Sequence, residues 1–323
     1  MVHVCIVPRG GDGSATEGTG MADTAGPVLE FGAVRVYLGE KSGKYPDGNQ
    51  VIVTGRDTRV ALDTPLVANR LRRELEGTDL VVLGHMHEDH AAGLHLLPRA
   101  RVFAPHADLP AVQSWEGLER HYGYAPEVFR VMRELVARQF FYVPRPDAVG
   151  YADGEVWELG GVRLRAYHMP GHTGGHTVLV AEPEGVAFIG DIDLSGFGPY
   201  YGDACSNLAD FRRTLERVAE IPARVWITSH HKGVVTEREA FLRLLHAFRD
   251  RIAQRERAIL AELAHGPRSL RQLVEHRFLY PRGFEGVYVE EAERYSLQAH
   301  LNEWLTEGRV VEEGGLFRLV RPG

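Results

Sequence analysis

The stretch Val81–His90, VVLGHMHEDH, concentrates side chains that can do chemistry. An apolar run ends at Gly84, and four metal-competent groups, His85, His87, Asp89 and His90, follow within six residues. Alternation along an extended chain puts His85 and His87 on one side. A turn into the next element returns Asp89 and His90 to the same point, so the motif can hold two cations. Neutral imidazoles and a carboxylate are the donors zinc takes when it must also activate water. A lone histidine would be an incidental polar residue; three with an aspartate at the mouth of an apolar strand argue against that. Glu88, between two donors, is expected to point into solvent.

Three later segments place similar residues after apolar runs: Pro170-Gly171-His172-Thr173-Gly174-Gly175-His176, Phe188-Ile189-Gly190-Asp191 and Trp226-Ile227-Thr228-Ser229-His230-His231. With the HxHxDH motif, they resemble the metallo-β-lactamase superfamily over roughly residues 28–240. The resemblance implies an α+β fold, a four-layer αββα sandwich. It implies His85, His87 and His172 as ligands of one metal, Asp89, His90 and His230 of a second, and Asp191 between them. It also implies that Asp89 is catalytic, orienting the attacking hydroxide and carrying its proton to the leaving group. His231 is an alternative last ligand, but Ser229 stands where the small residue before that histidine belongs, which favours His230. His176, beyond the Thr-Gly-Gly turn, reads as a hydrogen-bonding residue. Asp63 either supports the metal site from behind or caps a helix from Pro65 to Leu75.

Two divalent cations bridged by Asp191 and a solvent molecule would lower that water's pKa from about 16 to about 7. Zinc leads among the candidate metals, and iron or manganese would accept the same donors. The expected function is a dinuclear metal-dependent hydrolase whose metal-bridging hydroxide cleaves a small carboxylic ester, thioester or lactone. The alternative is a β-lactamase-like phosphodiesterase or nuclease. A complete second metal site favours hydrolysis over the redox chemistry of a single-iron dioxygenase.

Composition is that of an ordinary globular protein: 44% hydrophobic and 25% charged over 323 residues, with net charge −7. That length suits a large core with an appendage. Residues 1–27, which include the Gly/Ser/Thr-rich GGDGSATEGTG, are expected to form a flexible arm, with Met21 a second candidate start. Cys5 and Cys205 form no metal or disulfide pattern, which fits a reducing cytoplasm, and neither is expected to be a ligand. No run approaches the roughly eighteen apolar residues that span a bilayer.

Residues 28–245 are expected to be the catalytic domain, opening with a strand over 28–39 and a hairpin, Val51–Thr54 with Val60–Leu62. An aromatic-rich helical insertion, 108–142, has apolar positions 128, 129, 132, 135 and 136 at helical spacing and falls beside the active-site mouth. Tyr200 and Tyr201, just after the bridging aspartate, are expected to face the substrate. Residues 246–323 read as helix, helix, helix, hairpin, with the last helix at Tyr295–Thr306 and the wing at 309–319, a winged-helix-like domain. Residues 251–323 hold eleven Arg and no Lys against eleven Glu and no Asp, so the tail lacks the basic excess of a nucleic-acid module. The expected partner is a small-molecule substrate, with the tail closing over the site or pairing with a second copy in a homo-oligomer.

Overall fold

The computed structural model of the chain describes residues 28–320, so the expectation of a flexible arm over 1–27, with Cys5 and Met21, falls outside the described residues. The opening residues form a hairpin rather than the single strand expected over 28–39. Strands β1 (Val28–Phe31) and β2 (Val34–Tyr37) pair antiparallel about Gly32, whose φ of +62° is left-handed and reverses the chain. After a short turn, α1 (Glu40–Gly43), come β3 (Gln50–Thr54), β4 (Arg59–Leu62), β5 (Leu80–Val82), β6 (Arg101–Pro105) and β7 (Val149–Tyr151). These complete a seven-stranded sheet in sequence order, parallel from β4 onward.

A second sheet is built from β8 (Val156–Glu158), β9 (Arg163–His168), β10 (Thr177–Glu182), β11 (Val186–Phe188), β12 (Val225–Ile227) and β13 (Val234–Val235), with β11 and β12 parallel. Period-two alternation sorts the side chains between layers. Val53, Val82, Leu179, Phe188 and Ile227 meet in the apolar layer between the two sheets. Their neighbours Ile52 and Val81 face out beneath the insertion helices, and Val178 and Trp226 face out on the other side. The result is helix, sheet, sheet, helix.

The insertion forms α2 (Leu109–Gln113), α3 (Trp115–Tyr122) and α4 (Pro126–Gln139). Its helical spacing is borne out: Phe129, Met132 and Val136 are buried, with Val128 and Leu135 packed against them. A helix over Pro65–Leu75 does not form. Only a 3-10 turn covers Leu66–Arg70, where Asn69 turns its amide back to the Leu66 carbonyl (3.3 Å) and across to Ala92 (3.2 Å), which ties the segment to the chain just after His90.

The far side is covered by α5 (Leu208–Arg217) and the first half of α6 (Arg238–Ala264), where Phe241 stacks on Trp226 at 4.4 Å. The second half of α6 joins another apolar cluster, Ile259 and Leu263 with Leu273, Leu301 and Trp304. That cluster holds β14 (Arg268–Ser269), α7 (Leu270–His276), α8 (Val289–Thr306), β15 (Val310–Glu313) and β16 (Leu316–Leu319), the strands forming a small sheet in the order β14-β16-β15. Ser269 and Gln272 form the reciprocal cap that starts α7. Helix α8 begins at Val289 rather than Tyr295, with Glu290 and Glu291 in its first turn, where acidic side chains complement the helix dipole. The boundary expected at 245/246 falls inside α6, one continuous helix shared by both clusters.

Candidate metal centre

Each polar motif leaves the end of a strand. The HxHxDH loop follows β5, His172 follows β9, Asp191 follows β11 and His230 follows β12. Gly190 has φ +56°, and a Cβ there would lie 2.6 Å from His176 Nε2, so only glycine lets the chain turn this closely into Asp191.

The side chains of these four segments converge. Donor atoms of His85, His87, His172 and Asp191 lie within 4.8 Å of one another, as do those of Asp89, His90 and His230. Asp191 reaches both groups: one oxygen is 3.3 Å from His172 Nε2, the other 3.1 Å from His90 Nε2 and 3.6 Å from His230 Nε2. His230 Nε2 is 2.9 Å from Asp89 Oδ2. His231, at φ +62°, turns its ring to Asp193 at 3.6 Å and stays out of this cluster.

The rings' outer nitrogens settle which atoms face inward. His172 Nδ1 donates to the Tyr200 carbonyl (3.0 Å), His230 Nδ1 to the Gly43 carbonyl (2.9 Å) and His90 Nδ1 to the Asp63 carboxylate (2.7 Å). His87 Nε2 meets Asp203 at 3.0 Å. A carbonyl can only accept, so the opposite nitrogen of each neutral ring carries a lone pair into the cluster. His87 Nδ1 and His172 Nε2 stand 3.0 Å apart, close enough for a protonated His87 to donate to His172 when no metal is bound. His85 Nε2, Asp89 Oδ2, His90 Nε2, Asp191 Oδ1 and His230 Nε2 are buried and make no well-directed hydrogen bond. Buried nitrogens and carboxylate oxygens that face one another without well-directed hydrogen bonds fit divalent cations, with protons as the alternative when metal is absent.

Charge supports the same reading. Burial disfavours the His90 cation, yet Asp89, Asp191 and Asp63 hold its pKa well above the ordinary histidine value. His230 is pulled down by burial and carried up to about 9 by Asp191 and Asp89. Burial opposes ionisation of Asp191, and His90 and His230 outweigh it, keeping the carboxyl well below its usual range. His85 is pushed down by burial and by the neighbouring His90. Without metal, protons supply the positive charge these carboxylates demand.

Three acidic residues support the cluster, of which the sequence singles out only Asp63. Asp63 accepts from the Gly84 amide at 2.7 Å with one oxygen while the other holds His90, so it supports the site and does not cap a helix. Asp108 joins two ligand loops, accepting from Met86 N (2.9 Å), Thr173 Oγ1 (2.7 Å) and Gly175 N (2.9 Å). A Cβ on Gly175 would come within 2.5 Å of this carboxyl, which explains that glycine. Asp203 holds His87 and accepts from Tyr124 and from Tyr200 (3.0 Å). Single acidic residues in loops give no periodicity; only the fold shows what they face.

Glu88 corrects its expectation. It is buried, not in solvent, and accepts from Tyr122 and, at 3.2 Å, from Tyr45. Tyr201 also departs from expectation: it is buried with its hydroxyl 2.9 Å from His300 Nε2 on α8, whereas Tyr200 stands beside His87 and His172. His176 is the structural residue expected, donating to the Met169 carbonyl (3.0 Å) and accepting from the Asp191 amide (3.2 Å). Cys205 borders the site, its sulfur grouped with nitrogens of His87 and His121.

Comparison with known proteins agrees with this geometry. The chain is 28% identical over 252 residues to an atrochrysone carboxyl ACP thioesterase of Aspergillus fumigatus, covering 73% of this chain and 74% of that one. It is 27% identical over 208 residues to a protein of the same name from Pseudocercospora fijiensis, covering 62% of this chain. It is 28% identical over 205 residues to an acyl-coenzyme A thioesterase of Homo sapiens, covering 56% and 71%. The matches to the Pseudocercospora fijiensis protein and to its Aspergillus novofumigatus namesake span only 60% and 54% of those relatives' lengths. Among solved structures, a metallo-beta-lactamase family protein of Thermus thermophilus superposes with TM-score 0.64 at 26% identity, covering 84% of this chain and 94% of that one. A beta-lactamase domain protein of Burkholderia ambifaria, 18% identical with TM-score 0.65 and covering 93% and 97%, shares the fold. The family model described as the metallo-beta-lactamase superfamily matches residues 46–252, and with the two converging donor groups this places the chain in the metallo-β-lactamase superfamily.

Proposed function

We propose that the protein is a metal-dependent hydrolase of thioesters that uses two divalent ions. His85, His87 and His172 would hold the first, Asp89, His90 and His230 the second, and Asp191 would touch both. The observation that carries this is the set of buried nitrogens and carboxylate oxygens without well-directed hydrogen bonds, the rings being held from behind. Zinc suits a histidine-rich donor set of this kind. Thioesterase names among the relatives support the substrate class.

Bound divalent ions would supply Lewis acidity and an acidified water at neutral pH. The chain's own groups handle the proton and the geometry. Burial opposes ionisation of Asp89, while His90 and His230 overcome this in the metal-free protein and keep the carboxyl below its usual range, so it is ionised at neutral pH. Asp89 takes a proton from the attacking water as the new carbon–oxygen bond forms, then delivers it to sulfur as the carbon–sulfur bond breaks. The products are a carboxylic acid and a thiol. Tyr122 and Glu88 wall the loop that carries Asp89 and exclude bulk water from it.

The tail, residues 246–323, we read as a winged-helix-like module that serves this site rather than a nucleic acid, given its balanced charge. A phosphodiesterase remains the second reading, because Lys44 and Lys232 lie near His231 at the rim and could meet an anion. Zinc- or manganese-loaded protein is offered an acyl thioester, a lactone, a β-lactam and bis-nitrophenyl phosphate, with Asp89→Asn as control. Thioester turnover that vanishes in the variant supports the first reading. Turnover of the phosphodiester alone overturns it.

A further inference from the structure

The open side of the metal cluster is faced with phenols. Tyr122 stacks on His87 with ring centroids 5.7 Å apart, Tyr45 lies edge-on to His230 at 6.1 Å, and Tyr200 edge-on to His172 at 5.8 Å. Their hydroxyls point to carboxylates: Tyr45 and Tyr122 to Glu88, Tyr124 and Tyr200 to Asp203. Tyr122 and Tyr124 are buried, while Tyr45 stays 40% exposed and turns its ring toward the mouth.

The tail completes this wall. In the loop between α7 and α8, Tyr280 and Tyr288 pack edge-to-face with ring centroids 6.1 Å apart, Tyr280 next to Tyr200 and Tyr288 next to Tyr45. The Tyr280 ring also lies 5.4 Å from Phe197 and 5.1 Å from Phe284. The loop is held from behind by Glu293 of α8, fully buried, whose carboxylate accepts from the amides of Phe278 (3.0 Å), Leu279 (3.0 Å) and Tyr280 (2.7 Å). The opposite loop is held too: Arg255 donates to the carbonyls of Pro199 and Phe197 (2.7 Å), and Tyr295 donates to Gly123 O at 2.6 Å. Burying a carboxylate is costly, and here its lone pairs are all given to one short run of backbone. The expenditure fixes where Tyr280 sits.

We propose that the loop 277–288 is the outer wall of the substrate site, and that Tyr280 and Tyr288 select thioesters whose acyl group carries a planar aromatic ring. The inference rests on the thioester reading above. Ring edges and faces set at these distances reward a flat π-system in offset or edge-on geometry, whereas an alkyl chain gains only burial. Glu293 is then a positioning residue, acting through Tyr280.

The test uses the full chain loaded with zinc. S-benzoyl and S-hexanoyl N-acetylcysteamine are compared as substrates, and their ketone analogues, with a methylene between carbonyl and sulfur, as ligands by calorimetry. The expected result is an aromatic preference in both measurements. Tyr280→Leu with Tyr288→Leu lowers benzoyl kcat/KM by about tenfold, the size of two ring contacts, and lowers the hexanoyl value by a clearly smaller factor. Tyr280→Phe with Tyr288→Phe keeps the rings and therefore the preference. Equal losses on both acyl groups, a preference that survives the leucine variant, or no aromatic preference in binding overturns the proposal. Ring-dependent binding without hydrolysis of either thioester overturns the thioester reading and leaves the aromatic selection standing.

Discussion

Asp63→Asn is a near-isosteric change that the geometry forbids. The carboxylate accepts from two fixed donors, the Gly84 amide at 2.7 Å and His90 Nδ1 at 2.7 Å. An asparagine has one acceptor and one NH2 arm, so in either orientation a donor meets a donor. Asp63 sits at φ +51°, which asparagine tolerates equally well, so the backbone contributes no difference. If the NH2 meets Gly84, a buried amide loses its acceptor, at about 1–3 kcal/mol. If it meets His90, the ring is driven to the tautomer with its proton on Nε2, the atom 3.1 Å from Asp191 and needed for metal. The second route weakens the second ion by about 10–100-fold, the usual cost of losing a partner behind a metal-binding histidine. Chelator competition on purified protein reads each binding step, and a melting curve reads the fold. The expected outcome is one tight ion retained, one weakened, and a modest loss of stability. Two binding steps both equal to those of the unmodified protein would refute the reasoning, as would an equal loss at both.

Further outcomes follow from the same geometry. His230→Ala should abolish the second binding step while His231→Ala leaves both, checked by metal content after gel filtration; the reverse would restore His231 as ligand. Asp108→Ala strips the acceptor from three buried donors joining two ligand loops and should cost at least about 3 kcal/mol in denaturant unfolding. In the metal-free protein, His87 is lifted to about 9 by Asp203 and His230 to about 9 by Asp191 and Asp89, each against burial. Both values exceed the unfolded one of about 6.5, so their stabilisation is complete below that pH and lost as pH rises toward about 9. The melting temperature of metal-free protein should therefore fall across that window. Metal affinity should rise across it, because ligand protons must leave, and uptake near neutrality should release protons into weak buffer.

Residues that follow one another in sequence were legible without coordinates. The apolar runs that end in His85, Asp191 and His230 announce strands with polar mouths, and the spacing of Phe129, Met132 and Val136 announces a helix, because periodicity is a local property of the chain. Elements set by competition with distant groups were not legible. Nothing local shows that Asn69 will give its amide to Ala92, or that Gly32 will fold one strand into two.

What the sequence by itself determined is where the candidate donors stand along the chain, each after an apolar run, while their grouping into one site came from the family resemblance. Only the tertiary structure decided how those donors are aimed. His230 rather than His231 turns inward because its other nitrogen finds the Gly43 carbonyl across the sheet. Asp63, Asp108 and Asp203 gain their roles from partners 21 to 116 residues away, and Glu88 is drawn inward by Tyr45 and Tyr122 from two separate elements. A hydrogen bond depends on where both atoms lie in space, and the chain alone specifies only one of them at a time.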